Sequence, residues 1–415
     1  MKLFLQNTLS GSKDIFKPRS GSEVKLFTCG PSVYSLPHVG NFRTYLYEDV
    51  LQRALKSLGY SVKRMINFTD VEDKAVAEAE KRGLSSLAQL TGSNEERFLK
   101  NAAELKIRLP EQIPRSSTSV EQAVYLIRIL LEKGHAYWHQ GDVFFDPLTF
   151  PDFGKLYGLD LSRWPGKRVR FRRDTYPGQR WNLGDFILWH GGKPGDPFVW
   201  ETGIGPGRPA WNIQDPAMIS EHLGYELDIC CGGVDNLYRH HDYNIALMES
   251  VSGRTFAPFW LHGELLLVNG SKMSKSKGNI VYPKDLFQKK WTPGFLRYFL
   301  LSVHYRSKLN LDSRNIDAAW SKYTRLQELI RELQDGSGKQ DTGVALGPDW
   351  IQSLFSGVYI HLYDDLDVPQ ATDYLIRVLE QMHALLRDER LGAGELEEVR
   401  SCLGSLDQVL GFLFE

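Results

Sequence analysis

Two rhythms of apolar and polar positions run along this chain, and the places where they change show how it is organised. Residues 24–29 are a short apolar-rich run broken at once by Gly30-Pro31-Ser32, which reads as a strand entering a loop. After a loop through His38, apolar residues recur at helical spacing through Phe42, Leu46, Val50, Leu55 and Leu58, with Gly59 as a stop. A second strand is predicted over 61–68. Thr69-Asp70-Val71-Glu72 then has the Ser/Thr-x-x-acid form of a capping box before an alanine-rich helix over 73–82. Strand, helix, strand, helix argues for a parallel sheet.

From 93 to 208 the pattern loosens: a helix is predicted over 120–133, inside a Trp-, Gly- and Pro-rich stretch that reads as an inserted module. The sheet pattern resumes over 225–233, a strand running into Gly232-Gly233, followed by a helix over 242–251 and a strand over 263–268. Beyond Pro293 the chain turns helical, over 295–303, 315–333, 350–362 and 369–387, with a Gly- and Asp-rich break over 335–347. The expected architecture is an α/β catalytic half followed by a helical bundle.

Composition changes this picture little. With 415 residues the chain exceeds the size at which one core keeps growing, so two or three domains are expected. Hydrophobic residues at 42% and charged residues at 24% are those of a globular protein, not a disordered or fibrous one. No apolar run suggests a membrane span and the N-terminus lacks the form of a secretory signal, so a cytoplasmic location is the expectation. Cys29, Cys230, Cys231 and Cys402 are too scattered for a disulfide framework and read as reduced thiols. Fifty basic against fifty-one acidic side chains leave no global pull on nucleic acid.

Chemistry concentrates in two loops. His38-Val39-Gly40-Asn41 joins a strand to a helix N-terminus, where free N–H groups and the helix dipole favour an anion. His38 and Asn41 are placed to hydrogen-bond a phosphate, and Gly40 allows close approach of a nucleotide. Far downstream, Lys272-Met273-Ser274-Lys275-Ser276 follows the turn Asn269-Gly270-Ser271. A five-residue match of this kind arises by chance about once in ten thousand chains of this length. A mobile loop carrying several ammonium groups can close on a triphosphate and neutralise charge as pyrophosphate leaves; Lys272 and Lys275 are the candidates, with Ser274 and Ser276 beside them.

With both loops in this order, the chain resembles the class I aminoacyl-tRNA synthetases, and within them the cysteinyl enzymes and their short paralogues, the cysteine ligases of mycothiol biosynthesis. The resemblance spans residues 3–369. Phe27-Thr28-Cys29-Gly30-Pro31-Ser32-Val33-Tyr34, Asn67-Phe68-Thr69-Asp70-Val71-Glu72-Asp73-Lys74, Gly207-Arg208-Pro209-Ala210-Trp211, Gly232-Gly233-Val234-Asp235 and His240-His241 all carry it. It implies a Rossmann-like (HUP-type) parallel-sheet domain in two halves, 1–92 and 209–265, split by an inserted connective module over 93–208. A lysine-loop and stem-contact-like region over 266–340 and a C-terminal α-helical bundle over 341–415 would follow. By the same resemblance Asp235 holds the ATP ribose, Gly233 lets it approach, and Gly30, Thr69 and Trp211 line the amino-acid pocket. ATP and Mg2+ are the implied cofactors.

The sequence departs from the family where the resemblance implies zinc. There two cysteines, a histidine and a glutamate hold an ion that takes the substrate thiolate; here Cys29 and His240 match, but Asp215 and Asn244 replace the second cysteine and the glutamate. Two family histidines at the pocket floor are Asn212 and Cys230. Either zinc is lost and Asp215 meets an amine or hydroxyl of a different acid, or a metal persists on Cys29, Asp215 and His240 with Cys230 added. Cys230-Cys231 also reads as a pair of small buried strand residues. Without a thiolate–metal bond, cysteine and serine differ by one atom that packing distinguishes poorly.

The expected function is ATP-dependent activation of an amino acid or related carboxylic acid other than cysteine, with transfer to a small amine or carrier protein. The chain ending within its helical region, as in the mycothiol ligases, favours that acceptor. A tRNA ligase with a minimal C-terminal region is the alternative, favoured by the segment 297–306, and a non-catalytic nucleotide-binding protein is the third reading. The tract Lys167-Arg168-Val169-Arg170-Phe171-Arg172-Arg173 reads as a phosphate contact or as an exposed strand with charged faces.

Overall fold

The computed structural model describes residues 1–110, 112–159, 185–193, 195–196, 198–336 and 348–414. The basic tract over 167–173 lies outside them. At the N-terminus β1 (Phe4–Asn7) and β2 (Ser12–Ile15) form a hairpin. Then come β3 (Glu23–Thr28), α1 (Val39–Ser57), β4 (Ser61–Ile66), α2 (Asp73–Lys81) and α3 (Leu87–Glu104). After α4 (Val120–Glu132) the strands β5 (Ala136–His139), β6 (Asp142–Phe145), β7 (Phe186–Gly191) and β8 (Gly207–Pro209) make an antiparallel sheet in that order. The chain returns through α5 (Trp211–His222), β9 (Ile229–Gly233), a short turn of helix α6 (Val234–Asn236), a π-helical turn over Leu237–His241, α7 (Asp242–Ser252) and β10 (Phe259–Gly263).

Strands β10, β9, β3 and β4 lie side by side, all parallel. The fold is therefore the Rossmann-like α/β fold that the sequence pattern predicts. Chain order reverses between β9 and β3, so loops leaving the C-terminal ends of the strands part there and leave a crevice, the place where open α/β sheets bind ligands. The sheet is buried on both faces. Phe27, Cys230 and Trp260 share a register row in the cluster with Met65 and Met218, while Leu26, Cys231 and Leu261 face α1 in the largest core cluster.

Downstream, β11 (Leu266–Val268) pairs with β12 (Ser271–Lys272) and, in parallel, with β13 (Leu309–Leu311). The helices α8 (Pro283–Phe287), α9 (Pro293–Leu301), α10 (Ser313–Asp335), α11 (Pro348–Leu362), α12 (Val368–Arg387) and α13 (Ala393–Leu410) complete the chain. Apolar stripes of α9 to α13 merge with α1 in one core. A buried ionic hub fixes that junction: Asp49 of α1 accepts from Arg53 Nε and from Arg297 Nη2 of α9, both at 2.7 Å, and Arg297 Nε donates to Leu410 O at the end of α13. Arg297 of the stem-contact-like segment is thus sealed inside the protein, and half-exposed Arg306 is held by Asp365 at 2.6 Å.

Four local predictions need correction. Thr69 does not cap α2: Glu72 occupies the N-cap without a side-chain bond, because Thr69 N donates to Pro31 O and accepts Val33 N at its own carbonyl, both at 3.1 Å. Tertiary pairing across the crevice outcompetes the local cap. The strand predicted over 263–268 breaks at Glu264, whose N–H donates to Tyr305 O at 2.7 Å and whose carbonyl accepts from Arg43 Nε at 3.2 Å. The strand predicted over 225–233 is shorter because the Asp228 carboxylate turns back to accept the Arg19 and Lys25 N–H groups at 2.6 and 2.7 Å. Residue 93, predicted as a module boundary, falls inside α3, whose Phe98 packs against Phe42 and Phe68 in the catalytic core. No helix among the described residues is long and apolar enough to cross a membrane.

Candidate active site

A cleft of about 380 Å³ opens at the C-terminal edge of the parallel sheet. It gathers Cys29 and Gly30 from the exit of β3, His38, Gly40 and Asn41 from the start of α1, Thr69 after β4, Trp211 at the start of α5, Gly233 and Asp235 after β9, and Lys272 from β12. Six sheet-edge segments, scattered over more than two hundred residues, thus meet at one place.

At the end of the cleft beside α1, which the sequence assigns to the nucleotide, His38 is the N-cap of α1 and its backbone N–H donates to Asn41 Oδ1 at 3.0 Å. That bond holds the first turn in shape and commits the Asn41 carbonyl oxygen, leaving its NH2 as the group able to donate to a phosphate. Burial lowers the His38 pKa against the opposing pull of Asp235, so the imidazole is neutral at pH 7 and able to donate a hydrogen bond without being a cation. Lys272 Nζ lies 3.4 Å from Asp235 Oδ2, with both side chains more than half exposed. A Cβ on Gly233 would stand 2.6 Å from Asp235 Oδ1, so a larger residue there would displace that carboxylate from the strand end. A Cβ on Gly40 would stand 2.5 Å from the Met273 methyl, so the two motif loops touch at this glycine.

The lysine loop is stapled internally. Asn269 and Gly270, both at positive φ, turn β11 into β12; Asn279 accepts from Ser274 N at 2.9 Å and donates to Lys272 O at 3.2 Å. Ser274 and Ser276 hydroxyls lie 3.2 Å apart. Lys275 does not line the cleft; its Nζ stands 5.2 Å from the centre of the Tyr34 ring, and Tyr34 does line it.

The other end is built differently. His240 Nε2 lies 2.7 Å from Asp215 Oδ2, and Cys29 Sγ lies 3.7 Å from that oxygen and 3.8 Å from the same imidazole nitrogen. Asn67 Nδ2 donates to Asp215 Oδ1 at 3.0 Å, and Asn67 Oδ1 accepts the Gly30 N–H at 2.9 Å. Trp211 stacks on His240 with ring centroids 3.7 Å apart. Asp215 and His240 are buried and lie behind Cys29 and Trp211, which face the cleft. Burial, then Asp215, pushes the Cys29 pKa well above that of an ordinary thiol.

Of the metal sets read from the sequence, Cys29, Asp215 and His240 come together, with their donor atoms within 4.8 Å of one another. Cys230 does not join them: its row of the sheet points into the apolar cluster of Phe27 and Trp260, so it is a small core residue and not a pocket or metal residue. Nor does Asp215 meet the cleft, because both its oxygens are taken up by Asn67 and His240. The set fits zinc poorly at one spacing: Cys29 stands 3.7 and 3.8 Å from its two partners, as ligands on a tetrahedral ion would, but Asp215 and His240 do not. Two ligand atoms about 2.0–2.1 Å from a tetrahedral ion would sit roughly 3.3 Å apart. Asp215 and His240 are at hydrogen-bond distance instead, and the sequence has Asn244, a neutral amide, where the resemblance implies a glutamate ligand.

Sequence reading missed Asn67 as the hub that ties Gly30 to Asp215; its only signal is a polar residue directly after a buried strand. It also missed the cleft wall of Ser32, Tyr34, Glu72, Asp73, Lys74 and His190.

Comparison with known proteins agrees with the geometry. The family model described as tRNA synthetases class I (C) catalytic domain matches residues 15–321. The chain is 36% identical to a cysteine–tRNA ligase of Chlamydia muridarum, covering all of this chain and 88% of the relative. It is 35% identical to that of Solibacter usitatus, covering all of this chain and 87% of the relative. The fold matches Mycobacterium tuberculosis methionyl-tRNA synthetase in complex with methionyl-adenylate with a TM-score of 0.67 at 16% identity, over 94% of this chain and 92% of that one. A Rossmann-like sheet with its two motif loops meeting over one cleft, matched by a family model over most of its length, places this chain among the class I tRNA synthetases, in the group with the (C) catalytic domain.

Proposed function

We propose that the protein uses ATP and Mg2+ to activate an amino acid other than cysteine as its aminoacyl-adenylate, and passes the acyl group to a small amine or carrier. The supporting observation is the Asp215–His240 pair at 2.7 Å, closed off by Asn67 and Trp211. It leaves a neutral thiol, the Thr69 hydroxyl and an indole face lining the amino-acid end. Such a surface takes a small uncharged side chain and has no soft metal with which to single out a thiolate.

The cleft suits ATP. Asp235 accepts the ribose hydroxyls once Lys272 lets go of it, and the N–H groups of the first turn of α1, the His38 imidazole and the Asn41 NH2 face the phosphates. The substrate carboxylate attacks the α-phosphorus, the bond to the bridging oxygen breaks, and Lys272, joined by Lys275 once the loop closes and it leaves Tyr34, stabilises the charge on departing pyrophosphate. Mg2+ on the triphosphate shares that charge. Positioning and electrostatics carry the reaction without a covalent protein nucleophile.

ATP–pyrophosphate exchange with each of the twenty amino acids tests this reading: exchange is expected with an acid other than cysteine. Cysteine-only exchange, or efficient charging of bulk tRNA, sinks it. The second reading, a tRNA ligase, draws on the 36% identity to cysteine–tRNA ligases along the whole chain. It requires tRNA binding whose affinity falls steeply with salt. No exchange with any acid would leave the nucleotide-binding reading.

A further inference from the structure

We propose that the cleft wall around Glu72 is the acceptor subsite, and that Glu72 is the general base that takes a proton from an amine as it attacks the acyl-adenylate. The inference rests on the amine-acceptor reading above. It starts from an unspent group. Glu72, in the loop between β4 and α2, lines the same cleft as the ATP and amino-acid residues. Its Oε2 accepts from Ser32 Oγ at 3.4 Å, but its buried Oε1 has no hydrogen-bond partner. A buried, unpaired carboxylate oxygen on a side chain that lines a cleft calls for a donor from outside the protein.

The neighbours select what that donor is. Asp73 beside it is already engaged by Arg208 and, at 3.6 Å, by His190 Nε2. Burial and Arg208 bring His190 down to about 4, so it is neutral at pH 7 and does not repel an ammonium. Lys74 and Lys275 both stand beside the Tyr34 ring, their Nζ atoms 5.6 and 5.2 Å from its centre, and Lys272 lines the same cleft. Burial outweighs the pull of Lys74 and Ser32 and lifts the Glu72 carboxyl to about 7. A group with that midpoint is ionised often enough to bind an ammonium and basic enough to deprotonate it, the match that general-base catalysis needs. It offers nothing to a phosphate.

The step balances. The acceptor arrives as R–NH3+ and gives one proton to Glu72. The freed lone pair attacks the acyl carbonyl carbon, a C–N bond forms, the C–O bond to the phosphate breaks, and AMP leaves with that electron pair. The second nitrogen proton passes to solvent as the amide forms.

The test uses the full chain, its best amino acid from the exchange panel, and ethanolamine and glucosamine as probe amines, measuring amide formation and ATP–pyrophosphate exchange on the same samples. Glu72→Gln is expected to lower the ratio of amide formation to exchange about 100-fold. In the unaltered protein amide formation should rise as pH passes through about 7, where Glu72 loses its proton. Ser32→Ala, which removes a bond to the ionised form, should move that midpoint upward; a purely structural role for Glu72 would leave the midpoint in place. Amide formation by Glu72→Gln at the unaltered ratio, or a fall in exchange parallel to the fall in transfer, overturns the role of Glu72 alone. No amide with either amine from an unaltered protein that still exchanges overturns the amine-acceptor reading together with this subsite.

Discussion

The two ends of the cleft stand on the same sheet yet follow opposite rules. At the nucleotide end the working groups are half-exposed and lightly held: Lys272 and Asp235 meet at 3.4 Å in the open, and Met273 rests on Gly40. At the amino-acid end they are buried and bonded to one another, Asp215 to His240 and Asn67, with Trp211 laid over the imidazole. An end proposed to bind a triphosphate needs little beyond backbone N–H groups and mobile cations. An end that sets specificity must fix polar groups in a dry place, where an unpaired one is expensive.

The comparison presumes one rigid frame beneath both ends, and Asp49 offers the hardest blow to it. Asp49→Ala should lower stability by about 3–5 kcal/mol by leaving two buried guanidiniums uncompensated, read by urea unfolding; a loss under 1 kcal/mol would show that the hub is not needed. Burial alone would raise the Asp49 carboxyl, but Arg297 and Arg53 hold it below the usual range. Its share of stability is therefore present above the unfolded carboxylate pKa and lost as pH falls below about 4.

Lys272→Ala should lower exchange about 100- to 1,000-fold, as loss of a transition-state charge partner does, while the melting temperature stays put. At the other end, Asp215→Asn should lower kcat/KM for the amino acid roughly 10- to 100-fold while KM for ATP moves less than about twofold. Equal effects on both substrates would erase the distinction between the ends. Gly40→Ala pushes on the flexible tip of Met273 and puts a Cβ 3.1 Å from the His38 ring, so a change of a few-fold in KM for ATP is expected, with little loss of stability. The smallest effect is a null one: zinc in purified protein should fall well below one per chain, and a zinc chelator used with excess Mg2+ should not change exchange.

Much of the site was legible in advance because its parts are local. Strand-to-helix loops, a two-residue turn with Asn269 and Gly270, and the order of the two motif loops depend on near neighbours and can be read from spacing. Helix α5 was missed because Pro216 and the polar run Asn212-Ile213-Gln214-Asp215 mask its period, and only packing against α4 and α7 makes it regular. Cys230 and Asp215 were misplaced for a related reason. A residue type signals possible chemistry, but the facing row of a sheet or the partner behind a side chain decides whether the cleft ever meets it.

By itself the sequence determined the parallel α/β sheet, the two motif loops and their order, and the replacement of zinc-type ligands by Asp215 and Asn244. Those depend on residue identity and short-range spacing. Only the tertiary structure decided that Asp215 bonds inward to His240 and Asn67, that Cys230 is core, that Arg297 is sealed against Asp49, and that Glu72 keeps an unpaired oxygen at the cleft wall. Each of these is a choice of partner between residues far apart in the chain, set by which groups folding leaves dry.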